Sequence, residues 1–271
     1  MKPAGTRTDM KPAVELAVLL CAAWLAFAAV PIVRGELGIS WDAINHHFYL
    51  GWTAAHPRFD LDVLAGNSQV YQFPYLYWPL YQLSAWGATG VQAGIALAAL
   101  YLLAVPPVWQ LARDCMPGQT WFDAAMRAIA VTLAFMTGVT ISLFGSTSND
   151  LLAAIPMLWA ISIAMAPFAG RAETQKLATR SVAWSAVLAG VAIAFKLSNA
   201  PIAVVLALLW VCVPGQFSYR VQLAVLGGFL TVASFAAVYG YWGWQLASHY
   251  GNPFFPFLDR WFDPFRKGLP S

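Results

Sequence analysis

The first apolar stretch of the chain, residues 13–33, reads AVELAVLLCAAWLAFAAVPIV. It is long enough to cross a bilayer, because a transmembrane helix needs about 20 mostly apolar residues. Lys2, Arg7 and Lys11 precede it, as basic residues precede a secretory signal. The stretch exceeds the roughly 7–15 residues of a signal peptide's apolar core, and more apolar segments follow. We therefore interpret it as an uncleaved first membrane span.

The composition of the whole chain extends this interpretation. Hydrophobic residues make up 60% of it and charged residues 10%, whereas a soluble domain has roughly 45–50% and about 25%. The chain has too few polar residues to cover the surface of a soluble fold. Most of it must therefore lie in lipid. The net charge of +3 is spread without any basic run, which argues against nucleic acid as a partner.

The apolar segments predict an all-α polytopic membrane protein with about seven transmembrane helices, in which residues 1–271 form a single module. The predicted spans are residues 13–33, 91–112, 124–144, 151–168, 181–196, 200–213 and 221–247. One long helix over residues 181–213 is the alternative and would give six spans. Seven spans with a cytoplasmic N-terminus fit the positive-inside tendency, since the cytoplasmic connections then carry Arg113, Arg127, Arg171, Lys176, Arg180 and Arg220.

The first outer connection, residues 34–90, is long and rich in aromatic residues, which favours short interfacial helices over disorder. Ser40 or Asp42 could cap the first of them, and Trp41, Ile44, Phe48 and Trp52 would then form a membrane-facing stripe. The outer tail, residues 248–271, contains Asn252–Pro256, which we expect to be extended along the outer surface.

The densest group of reactive side chains lies at residues 40–49. Asp42 either caps a helix or acts as a general base towards an acceptor hydroxyl. It shares a helical face with His46, its i+4 neighbour. His46 and His47 could ligate a metal, donate hydrogen bonds to a phosphate, or bond within the loop; a divalent cation would have Asp42 and His47 as ligands.

Two further charged residues lie at predicted membrane boundaries. Asp150, which follows Asn149, is either a functional acid or a helix N-cap. Lys196 either extends to the headgroups or, with Arg34 or Arg58, binds the anionic group of a lipid-linked substrate. Asp60 and Asp62 are expected to be solvated, and His249 is expected near the mouth of a cavity at the outer face.

Two motifs give the chain a resemblance to the GT-C glycosyltransferases. Asp42-Ala43-Ile44-Asn45-His46-His47 is similar to the Asp-Ala-Leu-x-Tyr-His motif of bacterial members, departing from it at position 46. The segment Gly251-Asn252-Pro253-Phe254-Phe255-Pro256-Phe257 is similar to their Gly-Asn-Pro-x-x-Pro-Phe segment.

The resemblance implies a multi-pass enzyme of the bacterial inner membrane that transfers a sugar from a polyprenyl phosphate to a glycan, lipid or protein acceptor at the outer, periplasmic face. It implies that Asp42 is the base, Asp150 a second acidic site near the acceptor or a metal, and Lys196 the cation that meets the donor phosphate. His46, His47, Asn149, Arg58 and His249 are the substrate-binding candidates.

Two other functions remain open at this point. One is a transporter or flippase of lipid-linked sugars, although transporters typically carry paired repeats and polar residues near the membrane midplane. The other is a non-catalytic subunit of an envelope polysaccharide assembly, with a membrane protein as its partner.

Overall fold

The structure, a computed structural model, describes residues 10–59 and 67–265, and within these ranges it is helical without strands. Lys2, Arg7, Asp60 and Asp62 lie outside the described residues. The helices are α1 (Pro12–Arg34), α2 (Phe48–Thr53), α3 (Trp78–Ala85), α4 (Gly90–Tyr101), α5 (Val105–Cys115), α6 (Trp121–Phe135), α7 (Gly138–Phe144), α8 (Asp150–Ala164), α9 (Gln175–Phe195), α10 (Ala200–Val211), α11 (Phe217–Tyr250) and α12 (Asp259–Phe262).

The long apolar helices confirm a chain suited to a membrane. Among the described residues, four segments are long and apolar enough to cross it: α1, the joined α4 and α5, α9, and α11. A fifth is obtained if α6 and α7 are taken as one broken span. Helix α8 and residues Leu197–Val211 are apolar but shorter. The prediction of seven spans is therefore not confirmed.

The predicted span 124–144 is not one straight helix, because α6 and α7 meet at a bend of 75°. Helix α6 ends at Phe135, and the hydroxyl oxygen of Thr137 accepts a hydrogen bond of 3.1 Å from the amide of Thr140. This bond is an N-cap, which starts a new helix in a new direction.

Helix α9 packs most extensively against α8 and α11. Its buried face carries small residues, including Ala186, Ala189 and Gly190. A β-carbon at Gly190 would lie 2.9 Å from the backbone nitrogen of Phe235, so the two helices approach at backbone distance. Small residues allow such close packing in lipid. Large apolar side chains on α10 and α11, such as Val204 and Phe229, are exposed, as lipid-facing positions would be.

The connections between helices gather at two ends of the bundle. At α1, the amide of Met10 bonds to the carbonyl of Gln119, whereas Arg34 bonds to the carbonyl of Gly145. The 23 residues of α1 separate these contacts by about 35 Å. We call the first the Glu15 end and the second the Asp150 end, after the ion pairs that lie there.

The connection over residues 34–90 contains short helices, as expected, yet part of its aromatic content is buried in protein. Tyr71, Phe73 and Tyr77 are buried, whereas Trp78 and Trp86 are exposed. The first three pack against protein instead of occupying an interface. The aromatic residues of this connection are therefore not all available for interfacial helices.

The expectation of an extended tail was wrong. Helix α11 ends at Gly251 in the left-handed conformation, and the chain then folds into successive turns around the fully buried Asn252. The Asn252 side chain donates to the carbonyl of Phe257 (2.9 Å) and accepts from the amide of Phe254 (2.8 Å). The ring of Phe255 stacks on Tyr250 with centroids 4.2 Å apart. These bonds and contacts favour compact turns over an extended strand.

Candidate active site at the Asp150 end

A π-helical turn positions the two adjacent histidines. The hydroxyl of Ser40 accepts a hydrogen bond from the amide of Ala43 (3.1 Å), and residues Ala43–His47 then form one wide turn before α2. Both His46 and His47 are buried. Single π-helical turns are frequent at functional sites because they re-aim side chains within a helix.

Asp42 is not the cap of this helix, since its side chain makes no capping bond and Ser40 fills that role. Its carboxylate is 49% exposed, and Oδ1 lies 3.8 Å from Nδ1 of His46. That nitrogen is buried without a hydrogen-bond partner among the described residues.

His47, the last residue of the first motif, contacts the loop that precedes α8. Its Nδ1 is hydrogen bonded to Oγ1 of Thr147 at 2.6 Å, and its ring stacks on Tyr77 with centroids 4.8 Å apart. Burial, and next the neighbouring His46, lower the pKa of His47 to about 4. The imidazole is therefore neutral at pH 7 and can bond or ligate, but supplies no positive charge. Burial likewise lowers the pKa of His46.

Asp150 forms an ion pair with Lys196, and its other carboxylate oxygen accepts a hydrogen bond from the hydroxyl of Ser148. Asp150 is the first residue of α8, and Asn149 before it makes no capping bond with its side chain. The Asp150 carboxylate is 49% exposed and the Lys196 side chain 30% exposed. This pair joins the start of α8 to the end of α9.

Two loops far apart in the sequence are tied together here. The amide of Gly38 donates to the carbonyl of Gly145 at 2.7 Å, and His47 bonds to Thr147 a few residues further on. The charges of Asp42, Asp150 and Lys196 all act on His47. The structure thus brings together six predicted site residues: Asp42, His46, His47, Asn149, Asp150 and Lys196.

Three other residues of the predicted set lie elsewhere at this end. Arg34 bonds to the carbonyl of Gly145 (3.4 Å) and pairs with Glu36 (3.9 Å), so it does not join Lys196. Arg58 lies over the ring of Trp52, and His249 contacts Phe59 with ring centroids 4.7 Å apart. Their role in substrate binding stays a prediction.

A cavity of about 600 Å³ opens beside Lys196. Its walls are mainly aromatic and aliphatic and come from the end of α9, from α11, from residues 71–73 and from the turns after α11. Among the described residues that line it, only Lys196 is charged. The volume and lining are typical of a site for an apolar ligand with one anionic group.

One buried group near the cluster was not predicted from the sequence, the hydroxyl of Tyr101. It has no hydrogen-bond partner among the described residues, and neither has Oδ1 of Asn149, a predicted site residue. Tyr101 packs against Phe144, directly before the 145–150 loop. A tyrosine inside the apolar run 91–112 was the available signal, because buried polar groups in lipid usually have a partner.

Metal binding finds little support in the donor set. Within residues 10–59 and 67–265, no three His, Cys, Asp or Glu side chains are placed to hold an ion together. His47 also commits Nδ1 to Thr147, which leaves Nε2 as its remaining ligand atom. Asp42 with His47 stays a possible pair of ligands and no more.

Comparison with known proteins identifies no relative of this chain. No family model matches the chain, and neither a curated protein nor a solved structure matches it. The function of the cluster is therefore inferred from its geometry and chemistry.

Proposed function

We propose that the protein is a membrane glycosyltransferase of GT-C type, which moves a sugar from a polyprenyl phosphate to an acceptor hydroxyl. The observation that carries this proposal is the meeting of the Asp42 carboxylate, the Asp150–Lys196 pair and the aromatic cavity at one end of the bundle. A base, a cation and an apolar chamber are the parts that such a reaction needs.

The reaction proceeds by displacement at the anomeric carbon. Asp42 takes the proton of the acceptor hydroxyl, and the acceptor oxygen forms a bond to the anomeric carbon. The bond between that carbon and the phosphate oxygen breaks, and the lipid phosphate leaves with the electron pair. A phosphate is a weakly basic leaving group, so no strong general acid is needed. Attack from the opposite side inverts the configuration of the sugar.

The remaining groups suit the binding of the donor. The polyprenyl chain would enter the cavity beside Phe195 and Tyr239, and its phosphate would meet Lys196 at the wall. His46 Nδ1 and Asn149 Oδ1 are buried and have no hydrogen-bond partner among the described residues, so the proposal assigns them sugar hydroxyls, which are donors and acceptors at once. Asp150, next to Asn149, would face the acceptor side.

The proposal includes an arrangement in the membrane. The four long segments, the bent α6–α7 pair, helix α8 and residues Leu197–Val211 would together make seven crossings, although the last two are short. The positive-inside tendency then turns the Asp150 end outward, to the periplasmic side of a bacterial inner membrane. Donor and acceptor would meet at that face.

Replacement of Asp42 by Asn tests the mechanism. We expect sugar transfer from a polyprenyl-phosphate donor in liposomes to fall by roughly 10²–10⁴-fold, the usual contribution of a general base. Glu36→Gln is the matched control, because Glu36 is an exposed carboxylate at the same end. Equal activity of the Asp42 variant and the control, at equal folded amounts, would exclude Asp42 as the base.

A further inference from the structure

Lys196 has two neighbours that compete for the same charge. On one side it binds the carboxylate of Asp150, and on the other it lines the 600 Å³ cavity. Lys196 has an extended backbone between α9 and the turn Leu197–Asn199, and its side chain is a flexible stem with a single charged group. It is placed to serve either neighbour.

We propose that Asp150 is an internal counter-ion that occupies Lys196 until the anionic headgroup of a lipid phosphate enters the cavity and displaces it. This inference rests on the proposed function, since it takes the ligand to be an isoprenoid phosphate. It adds a role for Asp150 that a fixed acceptor-binding residue would not have.

The pair is suited to such an exchange. Both partners are partly exposed, so water and ligand reach them, and exposed ion pairs are individually weak. Lys196 makes its ion pair with Asp150 alone among the described residues. Asp150 keeps the hydroxyl of Ser148 when Lys196 leaves, so its carboxylate is not stranded without a donor.

The exchange has a consequence at each end of the catalytic cycle. When the headgroup takes Lys196, the Asp150 carboxylate becomes available to an acceptor, so the acid is released only in the presence of donor. After sugar transfer, the tethered carboxylate competes with the lipid phosphate at high effective concentration. Its return to Lys196 favours departure of the product.

The test is a set of binding measurements on the full chain in detergent, with farnesyl monophosphate as the probe. Asp150→Asn removes the competitor, and we expect the dissociation constant of the probe to fall at least fivefold. Lys196→Gln removes the cation, and we expect it to rise at least tenfold. The double variant should bind as weakly as Lys196→Gln. Glu36→Gln is the control for loss of a carboxylate at this end and should change binding less than twofold.

Two further ligands distinguish a lipid phosphate from a free phosphate as the ligand of this site. Farnesol, which has the chain without the phosphate, should bind every variant alike. Inorganic phosphate, which has the anion without the chain, should bind at least tenfold more weakly than farnesyl monophosphate. Equal binding of the two phosphates would mean a simple anion site and would contradict a lipid ligand.

The outcomes distinguish the two proposals. Unchanged or weaker binding to Asp150→Asn overturns the exchange, while sugar transfer by the unaltered protein would still support the enzyme. Failure of farnesyl monophosphate and a polyprenyl phosphate to bind any variant overturns the proposed function itself. Where Asp150→Asn does not give folded protein, Asp150→Ser carries the same test, because it also removes the charge and keeps a polar group.

Discussion

The two ends of the bundle each contain an ion pair, and the two pairs are built differently. At the Glu15 end, Arg127 donates to both carboxylate oxygens of Glu15, at 2.8 and 2.6 Å, and also to the carbonyls of Met116 and Gly118. Trp109 donates a further bond to Glu15. The Glu15 and Arg127 side chains are only 3% and 2% exposed. At the Asp150 end, the corresponding values are 49% and 30%.

The difference teaches how to separate a structural pair from a functional one. The Glu15–Arg127 pair is completed by the chain itself and joins α1, α5 and α6, so nothing remains for a ligand to satisfy. Around the other pair, His46 Nδ1 and Asn149 Oδ1 are buried and have no partner in the part of the chain that the structure describes. Unsatisfied buried groups are costly in a folded protein, so their presence beside exposed charges supports the proposal that this end binds a ligand.

Breaking the closed pair should have the largest effect on stability. Arg127→Met leaves the carboxylate of Glu15 buried and unpaired, and we expect a loss of roughly 3–5 kcal/mol, measured by thermal unfolding in detergent. The double variant Glu15→Gln with Arg127→Met removes both charges and should recover part of that loss. A single variant as stable as the unaltered protein would contradict the assignment of this pair as structural.

A pH titration should have the next largest effect, and it arises at the open end. The pKa of His47 is about 4 in the folded protein, against 6.5 ordinarily, because the ring is buried. Between pH 6.5 and pH 4, His47 is protonated in the unfolded chain but not in the folded chain. The stability that is present above pH 6.5 is therefore lost as the pH falls towards 4. The shift corresponds to roughly 3 kcal/mol.

The control for this titration is His47→Gln, which keeps a polar side chain without the titrating group. Its thermal midpoint should fall less between pH 6.5 and 4 than that of the unaltered protein. Parallel curves for the two proteins would mean that another group causes the loss of stability.

Removing the open pair should have the smallest effect on stability. Lys196→Met deletes a partly exposed charge, and exposed pairs contribute about 0–1 kcal/mol. We expect a thermal midpoint close to that of the unaltered protein, together with weak binding of lipid phosphate. A loss as large as that of Arg127→Met would make this pair structural too and would remove the contrast between the ends.

The sequence predicted the elements whose signals are local. The first span was expected at 13–33 and lies at Pro12–Arg34, because its apolar run alone determines it. The i,i+4 relation of Asp42 and His46 likewise follows from helical spacing. The π-helical turn was not predictable, since periodicity does not register one wide turn.

Contacts between residues distant in the sequence were harder to predict. Asp150 and Lys196 were each identified as unusual at a membrane boundary, but their direct bond depends on how α8 packs against α9. Glu15 was passed over, although an acid within the first apolar stretch signals a partner. That partner, Arg127, was counted only as a positive residue of a cytoplasmic connection.

The contact between Gly38 and Gly145 has a consequence for recombining this chain with others. A β-carbon at Gly38 would lie 2.9 Å from the carbonyl oxygen of Gly145, and one at Gly145 would lie 3.1 Å from a methyl carbon of Val30. Neither glycine has room for a side chain unless its neighbours shift. The segments around Asp42 and Asp150 therefore fit each other only in combination. A chimera that exchanges only one of them should misplace the carboxylates.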